Sequence, residues 1–95
     1  MDIVNNHLQQ KTGRIADKME CKDGFVMSVQ ASQYHYCSPR RDNEVYTEVE
    51  VGFPTEEESL LMPYVEDPER PTDTVYPYVP VEIIQAVILK HGGLV

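Results

Sequence analysis

Positive charge is nearly missing from the middle of this chain. Between residues 42 and 73, Arg70 is the single basic residue against eleven Asp and Glu. The flanks do not share the bias. Residues 1–41 hold six Lys/Arg and four Asp/Glu, and residues 74–95 hold only Glu82 and Lys90. The formal charge of −8 therefore originates in one central stretch. A field so concentrated repels the phosphates of nucleic acid and attracts basic protein surfaces. Direct nucleic-acid binding is not expected.

Other absences narrow the class further. No run approaches the roughly 20 apolar residues that cross a membrane, so no membrane partner is expected. The first residues lack the basic, apolar, small-residue order of a secretion signal, which makes the cytosol the expected location. Cysteine is scarce. Cys21 and Cys37 are expected as free thiols in that compartment, with a disulfide between them the alternative left open. His7, Cys21, His35, Cys37 and His91 show neither CxxC nor HxxxH spacing, and a closed zinc site needs four ligands. Glu66, Asp67, Glu69 and Asp73 lack the Asp-x-Asp-x-Asp-Gly order of a calcium loop. No metal and no cofactor is expected. Cys37 lies two residues from His35, a spacing that lets a thiol meet a base, but no orienting residue and no glycine-rich nucleophile turn accompany them. The chain reads as a non-enzyme.

At 95 residues the chain makes one domain, and 41% apolar residues suffice for a core. Residues 1–14 carry little apolar content and read as a loosely ordered arm before a single domain at 15–95. Ile15, Asp17, Met19 and Cys21 alternate with Ala16, Lys18 and Glu20. Asp23-Gly24 follows, then Phe25, Met27, Val29 and Ala31 share one face. The pattern predicts a hairpin with a type I′ turn. A third strand is predicted over 44–53, with Val45, Thr47, Val49, Val51 and Phe53 facing one way and Tyr46, Glu48 and Glu50 the other. Residues 54–73 hold four prolines and no period, so they read as a long acidic loop, with Thr55 placed to cap one helical turn at 56–58. A short strand at 74–76 follows. Pro80 then opens a helix that Gly92 ends, with Val81, Ile83, Ile84, Val87 and Ile88 on its apolar face. His91 falls in the last turn, where a cation suits the helix dipole. The expected fold is α+β: a small antiparallel sheet, a hairpin plus a third strand, covered by a C-terminal helix in two layers.

Two surfaces stand out. Glu44, Glu48, Glu50, Glu56, Glu57, Glu58, Glu66, Asp67 and Glu69 surround apolar Leu61 and Tyr64; apolar anchors ringed by charge resemble an interface, the alternative being that the same apolar residues tuck under the helix as core. Tyr34, His35, Tyr36, Arg40 and Arg41 form the densest aromatic and basic cluster. They supply forked donors and stacking faces for a nucleotide-like anion, or simply a strand end followed by a Ser-Pro turn. Arginines and an acidic face on one small domain are also self-complementary, so a homodimer stays open.

The stretches 24–31, 34–40, 78–82 and 90–93 resemble a type of small protein carried by phages and other mobile elements, over roughly residues 21–93. Such proteins include counter-defence factors, anti-CRISPR proteins among them. The resemblance implies an inhibitor that occupies a basic, nucleic-acid-binding surface of a host defence protein such as a CRISPR effector. It assigns no functional residues to this chain.

Overall fold

The computed structural model describes residues 2–95. Its elements in chain order are α1 (Ile3–Gln9), β1 (Met19–Glu20), β2 (Val26–Gln30), β3 (Glu48–Gly52), a 3-10 turn (Met62–Tyr64), β4 (Val75–Pro80) and α2 (Val81–Lys90). The four strands form one antiparallel sheet in the order β1-β2-β3-β4. The apolar stripe of α2 packs on the sheet, and α1 lies beside α2. This is the two-layer α+β fold expected from the sequence. No helix among the described residues is long and apolar enough to cross a membrane.

Period two governs β2 as expected. Phe25, Met27, Val29 and Ala31 are all buried, facing Val49 and Val51 of β3 and Tyr76 and Val79 of β4. Full burial of each Val, Met or Phe among them contributes roughly 1.5–3 kcal/mol. Helix α2 buries Val81, Ile84, Val87 and Ile88, with Ile83 packed at the margin. Pro80 is its N-cap and ends β4. Gly92 and Gly93 follow at φ +90° and +92°, and their N–H groups donate to Leu89 O (3.2 Å) and Ile88 O (2.9 Å). This Schellman closure turns the chain back, so that Leu94 bridges Cys21 and the outer edge of β1 is covered.

Four expectations are corrected. The arm at 1–14 contains a capped helix: Asp2 accepts from the Asn5 N–H at 2.8 Å, and Val4 and Leu8 enter the core. Periodicity could not show a helix this short, which owes its stability to tertiary contacts. The hairpin turn is not type I′, because neither Lys22 nor Asp23 has positive φ. The Gly24 N–H closes a turn on Cys21 O at 3.0 Å, Gly24 itself sits at φ +96°, and Cys21 N–H donates to Phe25 O. That is a three-residue loop with a glycine bulge.

The first and third strands are also shorter than expected, because side-chain amides replace their ladders. In the register of Met19 with Met27, Ala16 falls opposite Gln30. The Gln30 amide, rather than its backbone, exchanges both bonds with Ala16, at 2.8 and 2.9 Å. Asn5 does the same for Tyr46: its Oδ1 accepts from Tyr46 N–H (2.7 Å) and its Nδ2 donates to Tyr46 O (3.0 Å). Ser38 O accepts from both Thr47 N–H and Glu48 N–H, which shifts the alternation there. Tyr46 is therefore buried while Val45 and Thr47 are exposed. Phe53, at φ +50°, turns outward as well. Finally, no helical turn forms at 56–58. Thr55 instead pairs with Val26, giving its N–H to Val26 O (2.9 Å) and accepting from Val26 N–H (3.1 Å).

Candidate functional site

The acidic loop at 54–73 is ordered by a buried ionic knot. Glu58 is 2% exposed. Its Oε1 lies 2.6 Å from His91 Nε2, and its Oε2 accepts from Leu60 N–H (2.8 Å) and Lys90 Nζ (2.9 Å). His91 Nδ1 lies 2.6 Å from Asp23 Oδ2, and the ring stacks on Phe25 at 4.2 Å. With both carboxylates ionised, each ring nitrogen faces an acceptor, an arrangement that favours the imidazolium form of His91. Burial opposes its charge, but the bonds to Glu58 and Asp23 outweigh burial and raise its pKa above the ordinary value. Burial likewise works against the Glu58 carboxylate. The Leu60 N–H, Lys90 and His91 prevail and bring it down to about 2. The knot ties the loop, the hairpin turn and the end of α2 at one point.

Further anchors hold the rest of the loop. Leu61 is fully buried, the Tyr76 hydroxyl donates to Pro71 O (2.5 Å), and Glu66 N–H donates to Val75 O (3.1 Å). Leu60, Met62, Tyr64 and Val65 pack on the core from outside. Two partner-facing expectations are therefore corrected: Glu58 and Leu61 are spent inside the fold. Tyr64 is half-buried.

The remaining acids fall into two sets. Glu56, Glu57, Glu66 and Glu69 are exposed on the loop and, among the described residues, meet no Lys or Arg. Asp67 is half-buried and accepts from the Glu69 N–H. Glu48 and Glu50 lie on the polar face of β3. Glu48 accepts from Ser38 Oγ (2.9 Å), and Glu50 accepts from Tyr36 N–H (3.3 Å). Glu44 is paired with Arg41 at 3.4 Å.

The aromatic and basic cluster at 34–41 is dispersed. Arg41 turns to Glu44, and His35 Nδ1 lies 2.6 Å from Ser32 Oγ, where burial lowers the His35 pKa. Tyr34 is 71% exposed and points to a different part of the surface. Only Tyr36 and Arg40 come together, the guanidinium carbon standing 5.1 Å from the ring centre. Cys37 is free and buried, as is Cys21. Burial pushes the Cys37 thiol pKa up, and its sulfur points at Ser32 O (3.2 Å). No cluster of metal-ligating side chains exists among the described residues. An open cavity of about 450 Å³ lies between the end of α1 and residues 43–46. Its one cation, Lys11, is held by Ala31 O at 3.0 Å, and Glu44 lines the same wall. This arrangement does not favour an anion.

Sequence reasoning missed the pairing of His91 with Glu58. The signal available was a histidine and a lysine at the end of α2 in a chain whose loop is rich in carboxylates, but nothing local selects Glu58 from its neighbours. No protein-family model matches the chain, no curated protein matches it, and no solved structure matches it.

Proposed function

We propose that this protein is a non-enzymatic binding protein whose acidic loop engages a basic surface of another protein. One observation supports the reading: the loop is fixed in place by Glu58, Leu61 and Tyr76, yet Glu56, Glu57, Glu66 and Glu69 stand in solvent with no Lys or Arg paired to them among the described residues. Acids whose backbone is already ordered lose less entropy on binding. Their uncancelled field speeds encounter with a positive patch and is screened by salt. The resemblance to small phage and mobile-element proteins extends the reading to an inhibitor. Its target would then be a host defence protein, such as a CRISPR effector, whose nucleic-acid-binding surface it occupies.

The test is retention of basic proteins from a host lysate by the immobilised protein, at low and high salt. The comparison is with a variant carrying Glu56→Lys, Glu57→Lys, Glu66→Lys and Glu69→Lys. The reading expects salt-sensitive retention that the variant loses while keeping its fold. Equal retention by both proteins overturns it.

A further inference from the structure

Strand β4 makes a bulge in which Pro77 and Tyr78 together oppose the single residue Glu50 of β3. The bulge holds Tyr78 at φ +53°, a left-handed conformation that tyrosine rarely adopts. Its N–H donates to Tyr36 O at 3.1 Å, and Tyr36 N–H donates in turn to the Glu50 carboxylate. Two aromatic side chains from distant parts of the chain are thus fixed together. Their ring centres are 6.0 Å apart at a tilt of 49°. They are 43% and 42% exposed. Glu50 and Glu48 lie on the same polar face, and neither is paired with a Lys or Arg among the described residues. Arg40 already rests over the Tyr36 ring and makes no ion pair among the described residues.

We propose that Tyr36, Tyr78 and Glu50 form a seat for an arginine side chain of a basic partner protein, and that Arg40, resting over the Tyr36 ring, covers part of this seat in the free molecule. Aromatic faces attract cations, and a flat guanidinium stacks on them better than an ammonium does. The Glu50 carboxylate beside Tyr36, on the same polar face as Glu48, favours a cation and repels an anion, which reverses the ligand sign expected from the basic cluster alone. Tyr and Arg are also the residue types that dominate binding at interfaces. The proposal rests on the basic-partner reading and adds the side chain by which the partner is held.

The probe is a fluorescently labelled peptide of nine arginines, with binding followed by anisotropy at low ionic strength. Arg40→Gln and Arg70→Gln change the net charge equally, but only the first uncovers the Tyr36 ring. Arg40→Gln is expected to tighten binding roughly two- to fivefold beyond Arg70→Gln, the scale of an exposed cation–π contact. That gain should vanish in a Tyr36→Leu background. Tyr36→Leu and Tyr78→Leu should each weaken binding by a similar factor. Equal gains from the two arginine variants, or an unaffected Tyr36→Leu protein, overturn the proposal. Should the leucine variants fail to fold, the wild-type ring protons of Tyr36 and Tyr78 must shift on peptide titration, and unmoved rings overturn it. The four-fold loop reversal is titrated alongside. If it alone weakens binding, the basic-partner reading survives without the seat. If only the tyrosine variants weaken binding, the seat survives without the loop.

Discussion

His91 Nε2 stands 2.6 Å from Glu58 Oε1, although the two residues are 33 positions apart in the chain. The contact joins the end of α2 to the middle of the acidic loop. It converts one acid of a charge-rich segment from a surface group into an internal fastener. Breaking a buried ion pair by removing one partner leaves the other charge uncompensated, at about 3–5 kcal/mol. Glu58→Ala is expected to destabilise the domain by that amount in urea unfolding. Glu57→Ala, one residue away and exposed, should stay within about 0.5 kcal/mol of wild type.

The same knot sets a pH window. His91 has its pKa raised from 6.5, so its contribution is complete below that value and is lost as pH rises through the folded-state pKa. Glu58 has its pKa lowered from 4.5 to about 2, so its contribution is complete above 4.5 and is lost as pH falls toward 2. The Glu58 shift corresponds to something on the order of 3 kcal/mol. Stability should be greatest between about 4.5 and 6.5 and decline on both sides. Urea midpoints across pH check this. In Glu58→Gln the acid limb should shrink, and the His91 titration followed by NMR should move down.

Asn5 carries a second long-range fastening. Its amide satisfies the Tyr46 N–H and C=O together, and Tyr46 in turn donates its hydroxyl to Arg41 O at 2.6 Å. Asn5→Ala strands two buried backbone groups at about 1–3 kcal/mol each. The expected outcome is a loss of about 2–6 kcal/mol with fast amide exchange in α1, while β2 and β3 stay protected. Uniform exchange across the domain would show that α1 is not separately released.

What could be read from the sequence is local. The buried faces of β2 and α2 followed from periods of two and 3.6, and the glycine closure of α2 followed from its position after the last apolar turn. What could not be read depends on partners far along the chain. Gln30 and Asn5 look like polar residues of a strand and an arm, yet each substitutes for a missing strand neighbour. Their partners, Ala16 and Tyr46, sit where an alternating pattern had suggested continuous strands. Glu58 is indistinguishable from Glu56 and Glu57 until the loop has been folded onto α2. The candidate surfaces were legible in part for the same reason. Composition located the acids and tyrosines, but only the bulge at Tyr78 brings the second ring to Tyr36.

Cys37 provides a test of the non-enzyme reading. A nucleophilic thiol needs a lowered pKa, solvent access and a base in reach. Here burial raises the thiol pKa, the sulfur points at Ser32 O, and the nearby His35 Nδ1 is engaged with Ser32 Oγ. Both cysteines should therefore react slowly with a thiol reagent at neutral pH in the native protein, and rapidly once urea unfolds it. A single fast native phase that disappears in Cys37→Ser would mean that the thiol is exposed and activated. It would return Cys37 and His35 to consideration as a catalytic pair, against the geometry in which each is occupied by Ser32.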